Sequence, residues 1–245
     1  MFRPLCLLTL LLLATLLHAH EAIVLHYALR PPYTLASTDP HSLDGVAGKR
    51  IVDILRRAGI PYHLNKTPPL RQLDAVRDNK SRDCTYDWYK TPEREIYARF
   101  SEPFAQDSRY VYVTRKNSVV NAPVSMSQII NSGLTMVRVS GYSYGADLDA
   151  VIKSGQIKTL ITHGEEIELM TTIMRKRSDF GLLLADEVSY ILRHNELLRA
   201  ELRVYETSEM PEPEYTYFLC SHKVDNDTMS AFNQALLELP FTRYQ

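Results

Sequence analysis

Hydrophobic and polar positions along this chain switch repeatedly between two periods. Ile23-Val24-Leu25-His26-Tyr27-Ala28 is a short apolar run that reads as a first strand, ended by the turn signal Arg30-Pro31-Pro32-Tyr33. Ile51, Ile54, Leu55 and Ala58 then recur at helical spacing until Gly59 stops them. Pro61 to Leu64 predicts a second strand, and Leu70 to Asp78 a short helix with Leu73 and Val76 inward. Asp83-Cys84-Thr85-Tyr86 predicts a third strand. After an extended connecting segment, Arg109 to Thr114, the alternation resumes. Strands are expected at 134–139, 159–162 and 180–184, and helices through Leu148 and Ile152, through Ile167, Met170 and Met174, and from Val188 to Leu192. Pro211 and Pro213 mark a linker, Tyr215 to Cys220 a returning strand, and Met229, Phe232, Leu236 and Leu239 the apolar face of a last helix.

Strand–helix alternation predicts α/β architecture, with parallel sheets covered by helices. Ligands bind such sheets outside the carboxyl ends of the strands. The crossings near 105–114 and 210–218 divide the chain into two lobes, with the second inserted into the first. Residues 20–105 and 213–245 are expected to form one lobe and 106–212 the other. Two lobes joined by two strands leave a cleft that can close by hinge bending.

Residues 1–19 read as a cleavable secretory signal peptide. Arg3 precedes an apolar run from Leu5 to Leu17, and Leu17-His18-Ala19 offers a small-residue cleavage site. The run is short for a membrane span, which needs roughly 20 residues. Cys6 lies inside the run, not at its end. A periplasmic protein is the expectation. Without Arg3, the 28 basic residues become one fewer against 29 acidic ones, a balance that argues against nucleic acid or an anionic membrane surface as partner. Cys84 and Cys220 remain after cleavage; they are either a disulfide or a buried unpaired pair. There is no CxxC, HExxH or histidine cluster, so no metal or cofactor is expected.

The densest chemistry is Thr91-Pro92-Glu93-Arg94, followed by Arg99-Phe100-Ser101-Glu102-Pro103-Phe104. A threonine before a short helix with arginine in its first turn brings free backbone N–H groups and a planar guanidinium toward one anion. With the early Arg30-Pro31-Pro32-Tyr33 segment, this order resembles the periplasmic solute-binding proteins of the polar amino-acid class, solute-binding protein family 3. The resemblance implies the two-lobe periplasmic binding protein type II fold and a small amino-acid-like ligand captured between the lobes. It places the ligand carboxylate on Arg94, with Thr91 opening the turn, and on the Gly141-Tyr142-Ser143-Tyr144 turn, hence Ser143 and Tyr144. It places the α-ammonium on Asp186 in Leu184-Ala185-Asp186-Glu187-Val188.

Asp87, Trp88 and Tyr89 stand where the family has small serine-type residues, which implies an aromatic and partly acidic pocket. Tyr27, Arg30 and Tyr33 come to the same rim, and Arg71 in Pro68-Pro69-Leu70-Arg71 resembles a P-x-x-R variant. Each also has a plainer role: Arg94 in a surface ion pair, Asp186 as a helix cap, Trp88 and Tyr89 in the core, Arg71 as a solvated helix residue, Ser143 as a cap. No GxSxG or recognisable catalytic pair appears, so a binding protein is expected and not an enzyme. The alternatives are a secreted enzyme on the same fold, similar to cyclohexadienyl dehydratases with Glu187 or Asp87 as acid or base, and an extracytoplasmic sensory or accessory subunit. The resemblance implies a monomer with a membrane permease or sensor as partner.

Overall fold

The fold is built on two separate sheets. The computed structural model describes residues 21–118, 125–206 and 212–244; the leader at 1–19 and the linker residue Pro211 lie outside the described residues. The first sheet has six strands, in the order Thr242–Arg243, Ala98–Gln106, Tyr215–Ser221, Asp83–Tyr89, Ile23–Tyr27 and Tyr62–Lys66. The second has five, in the order Leu202–Tyr205, Tyr110–Arg115, Phe180–Leu184, Thr135–Val139 and Lys158–Thr162. The chain enters the second sheet after Gln106 and returns to the first at Tyr215, so the second lobe is inserted into the first.

In each sheet the strands nearest the helical crossovers run parallel: Ile23–Tyr27 with Tyr62–Lys66 and Asp83–Tyr89, and Thr135–Val139 with Lys158–Thr162 and Phe180–Leu184. The strands that carry the chain between lobes pair antiparallel. Tyr215–Ser221 lies between Asp83–Tyr89 and Ala98–Gln106, and Tyr110–Arg115 lies between Phe180–Leu184 and Leu202–Tyr205. Cys84 and Cys220 are register partners on adjacent strands and form a disulfide, which resolves the alternative left open by the sequence.

Helix Val46–Arg57 buries Ala47, Ile51, Ile54 and Leu55 on one face, as the spacing predicts. Its start depends on Gly45, whose φ is 83°; a Cβ there would come within 2.3 Å of the Tyr33 carbonyl oxygen. That carbonyl accepts N–H bonds from Ala47 and Gly48 at 2.9 and 3.0 Å, tying the Arg30–Tyr33 turn to the helix. Helix Pro69–Asp78 packs Leu73 and Val76 against Trp88 and Leu219. In the second lobe, Val111, Val137, Leu169, Ile173 and Val188 form a core of their own. A larger apolar cluster continues from Leu25 and Phe104 of the first lobe to Tyr112 and Phe180 of the second.

The structure adds elements that the apolar pattern left unmarked. Arg99 to Phe104, read as part of a motif, belongs to the strand Ala98–Gln106. The chain also continues past its last helix, Asn226–Leu237, into the short strand Thr242–Arg243, which brings Tyr244 under the cleft.

Candidate functional site

The cleft floor is set by a break in the strand Asp83–Tyr89. Its pairing with Tyr215–Ser221 shifts register between Tyr217 and Leu219, and Asp87 takes a φ of 66°, uncommon for a residue with a side chain. The bulge turns the Asp87 carboxylate inward. Its Oδ1 accepts hydroxyl bonds from Thr216 at 2.8 Å and Tyr244 at 3.0 Å, and its Oδ2 receives Arg30 Nη1 at 3.4 Å. Burial raises the Asp87 pKa, against the opposing pull of Arg30 and the two hydroxyls.

Asp107 follows directly on the crossing strand, and its N–H donates to the Glu214 carbonyl of the returning segment at 3.0 Å. Only 4% exposed, it accepts the Tyr89 hydroxyl on Oδ2 at 2.5 Å, while Oδ1 has no hydrogen-bond partner. Burial pushes its pKa up to about 7; Arg30 opposes the rise and Asp87 adds to it.

Arg94 is 5% exposed, so it is not a surface ion pair. Thr91 caps its short helix, accepting the Arg94 N–H at 3.3 Å. The guanidinium lies over the Trp88 ring, 5.0 Å from its centroid, and donates to the Tyr89 carbonyl at 2.5 Å and the Gly141 carbonyl at 2.9 Å. Gly141 has a φ of 85° at the head of the facing turn, so this bond crosses between lobes. Among the described residues, no carboxylate lies at ion-pair distance from Arg94. Burial lowers its pKa, against the opposing pull of Tyr97, Asp149, Glu93 and Tyr89.

Arg30 has the opposite surroundings. Its backbone is fixed by two 2.9 Å bonds with Thr34. Its Nε lies 2.6 Å from Glu187 Oε1 and 3.6 Å from Glu166 Oε1, and its Cζ is 4.9 and 5.7 Å from the ring centroids of Tyr33 and Tyr142. Burial pulls the Arg30 pKa down, but Glu187, Asp107 and Asp87 outweigh it and the net shift is upward. Burial raises Glu187 well above the carboxylate range; Arg30 opposes the rise, and Glu166, Asp107 and Asp186 add to it.

Tyr27, Arg30, Asp87, Trp88, Tyr89, Arg94 and Ser143 line one cavity, with about 70 Å³ of space for water-sized groups. Trp88 and Tyr89 are buried yet form part of its wall; the Trp88 indole N–H donates to Thr85 Oγ1 at 3.0 Å. Ser143 donates to Asp149 at 2.5 Å. The other singled-out residues stand apart from this cavity. Arg71 is exposed on helix Pro69–Asp78, because the turn that places Gln72 and Leu73 inward turns it to solvent. Tyr144 lines a smaller adjoining cavity, and its hydroxyl accepts the Val139 N–H at 3.4 Å. Asp186 Oδ1 is taken by hydroxyls from Tyr33 and Ser108 and by the Glu187 N–H; it stands inside the helix Ala185–His194, whose N-cap is Leu184, and so does not cap it. Asp107 and Glu166 were not anticipated. A signal for Asp107 existed in its place at the predicted crossing, where a hinge-side carboxylate faces the cleft floor; Glu166 is one of several acids at a helix start.

No protein-family model and no curated protein matches the chain. Solved structures match it in fold. The GluR0 ligand-binding core from Nostoc punctiforme in complex with L-glutamate aligns at TM-score 0.67 and 18% identity, covering 89% of this chain and 92% of that one. The arginine-bound form of truncated ArgBP from T. maritima aligns at TM-score 0.71 and 18% identity, covering 89% and 96%. A substrate binding protein of an amino acid ABC transporter aligns at TM-score 0.69 and 15% identity, covering 89% and 93%. The chain thus has the two-lobe fold of these proteins, with the cavity between its lobes.

Proposed function

We propose that this protein is an exported solute-binding protein that captures a small amino-acid-like ligand by hinge closure, for uptake or sensing. One observation carries the reading: a single cavity presents a buried guanidinium without a carboxylate partner, Arg94, and a buried carboxylate oxygen without a donor, Asp107 Oδ1. Each is expensive to bury alone. A zwitterion supplies both missing partners at once. The cavity's space of about 70 Å³ is well above the roughly 10–15 Å³ that a single water needs, so it admits a small ligand.

In this reading the ligand carboxylate meets Arg94 beside Trp88 and Ser143. The ammonium meets Asp107, with Asp87 behind it. Asp186, whose Oδ1 already accepts the Tyr33 and Ser108 hydroxyls, holds the lobes together and leaves the ammonium to Asp107. The moving units are residues 20–105 with 213–245, and 106–212. The leader-like start of the chain and the Cys84–Cys220 disulfide support a periplasmic location, since disulfides persist in oxidising compartments. No described helix is long and apolar enough to cross a membrane. The partner class is a membrane permease or a sensor; the substrate binding protein of an amino acid ABC transporter among the structures of like fold supports the first.

The test is native mass spectrometry of the purified protein for a retained ligand, followed by calorimetry with the twenty amino acids and their des-amino analogues. An α-amino acid that binds wild type, and binds Arg94→Ala and Asp107→Asn much more weakly, supports the proposal. Absence of amino-acid binding across the set overturns it.

A further inference from the structure

The cavity has a second compartment, and the chain's own Arg30 stands between the two. Behind the guanidinium lies a small space lined by Tyr142, Tyr144, Glu166, Leu183 and Glu187, and Arg30 lines both it and the main cavity. Two carboxylates and two aromatic faces surround the Arg30 head. Glu187 and Glu166 are 2% and 5% exposed, and Tyr142 donates its hydroxyl to Glu166 at 2.9 Å. This is the set of groups that would recognise a free guanidinium: planar charge between rings, with carboxylates at the edge.

The tethered guanidinium fits this cage imperfectly. Arg30 Nε is only 2.6 Å from Glu187 Oε1, yet neither atom has a partner in hydrogen-bonding geometry. Its Nη1 is turned away toward Asp87, at 3.4 Å. One cation therefore serves acidic groups of both lobes, Asp87 on one side and Glu166 and Glu187 on the other. Take Arg30 away, and Glu166 and Glu187 lose the cation that, among the described residues, stands at ion-pair distance from them.

We propose that Arg30 fills, with its own guanidinium, a subsite built for a cationic side chain, and that it is thereby a specificity-determining residue. While Arg30 is in place, the ligand space ends at its guanidinium, so the protein takes amino acids with short, uncharged side chains and excludes basic ones. The specificity half of this inference rests on the amino-acid reading given above; the cage itself does not.

The experiment separates the two. Arg30→Ala and Arg30→Met, the second keeping an unbranched apolar stem, are titrated with millimolar methylguanidinium and, as a cation control, tetramethylammonium, with thermal unfolding as readout. Both variants should gain a saturable rise in Tm with methylguanidinium alone, wild type should not, and adding Glu187→Gln should abolish the gain. L-arginine should bind Arg30→Ala at least about tenfold tighter than wild type, a difference of about 1.4 kcal/mol. The methylguanidinium arm needs no amino-acid ligand, so its failure overturns the cage whatever the protein binds. If both variants fail to fold even with methylguanidinium present during purification, the cage is not a separable subsite and the inference falls. If methylguanidinium binds but L-arginine is no better accepted, Arg30 does not set specificity.

Discussion

Tyr33 donates its phenolic proton to the Asp186 carboxylate, joining a helix-anchored turn of the first lobe to the first helical turn of the second. Tyr33 is fully buried, and its carbonyl is held by the start of helix Val46–Arg57, so the hydroxyl is aimed by the core beneath it. Ser108, at the crossing, donates to the same oxygen at 2.5 Å. The pair closes the cleft without standing on the wall of the main cavity.

A closing contact affects all ligands alike. Tyr33→Phe removes one hydrogen bond to a charged acceptor and should weaken binding by about 1.5–3 kcal/mol. The loss should be the same for an α-amino acid and for its des-amino analogue. Asp186→Asn should show the same equality. Calorimetry with such a pair decides the matter: a loss confined to the amino acid would make Asp186 the reader of the ammonium after all.

Arg94 joins the lobes too, but through backbone carbonyls that leave its charge uncompensated. Arg94→Ala should weaken ligand binding by about 1.5–3 kcal/mol or more, the usual range for a charged hydrogen bond. Arg94→Lys should recover only part, since an ammonium cannot hold the Tyr89 and Gly141 carbonyls and a carboxylate in one planar fork. Thermal unfolding without ligand should be measured in parallel. Unchanged affinity in Arg94→Ala would remove this residue from the site.

The contrast between these residues shows how far the sequence could be read. Strands such as Ile23–Tyr27 and Phe180–Leu184, and the helix through Ile51 and Leu55, were legible because each is bounded by a turn signal and has a clear period. Ala98–Gln106 was not, because its exposed and half-buried positions interrupt the alternation, and Pro103 breaks it further. Arg94, Trp88, Tyr89 and Asp87 were placed at the cleft because they follow a strand's carboxyl end, where α/β folds bind ligands. Arg71 is drawn toward the site only by the P-x-x-R resemblance, while the helical phase that sets Leu73 and Val76 inward already turns it to solvent. Asp107 and Glu166 were missed as cavity walls because what makes them notable is their burial in the assembled cleft. That property belongs to the assembled lobes and to no local pattern.

The disulfide joins strands separated by 136 residues of chain. Loop closure of that length restricts the unfolded chain strongly, so Cys84→Ser with Cys220→Ser should lower unfolding stability by about 2–5 kcal/mol. Both sulfurs are fully buried beside Leu25 and Phe218, so the effect should appear in denaturant midpoints while ligand stoichiometry stays the same. A midpoint that does not move on removing both cysteines would show that the sheet alone fixes this pairing.

Asp107 should make binding depend on pH near neutrality. Its pKa is pushed up to about 7, first by burial, with Arg30 opposing and Asp87 and Asp186 adding their negative charge. In the unfolded chain the same group titrates near the ordinary carboxylate value of about 3.9. The folded state therefore binds the proton more tightly. The stability this gives the free protein is fully present below the unfolded value and is lost as pH rises through about 7. Ligand binding has the opposite sign, because an ammonium pairs with the ionised form and expels the proton. Affinity should be flat well above pH 7 and fall below it by up to about tenfold per pH unit, with proton release that calorimetry detects as a dependence on buffer ionisation enthalpy. Asp107→Asn cannot ionise and should bind more weakly than wild type at neutral pH and above, with the slope below pH 7 gone and the difference narrowing as pH falls. A wild-type affinity that stays level from pH 5 to 8, or an unchanged slope in Asp107→Asn, would show that the ligand's cation is read elsewhere.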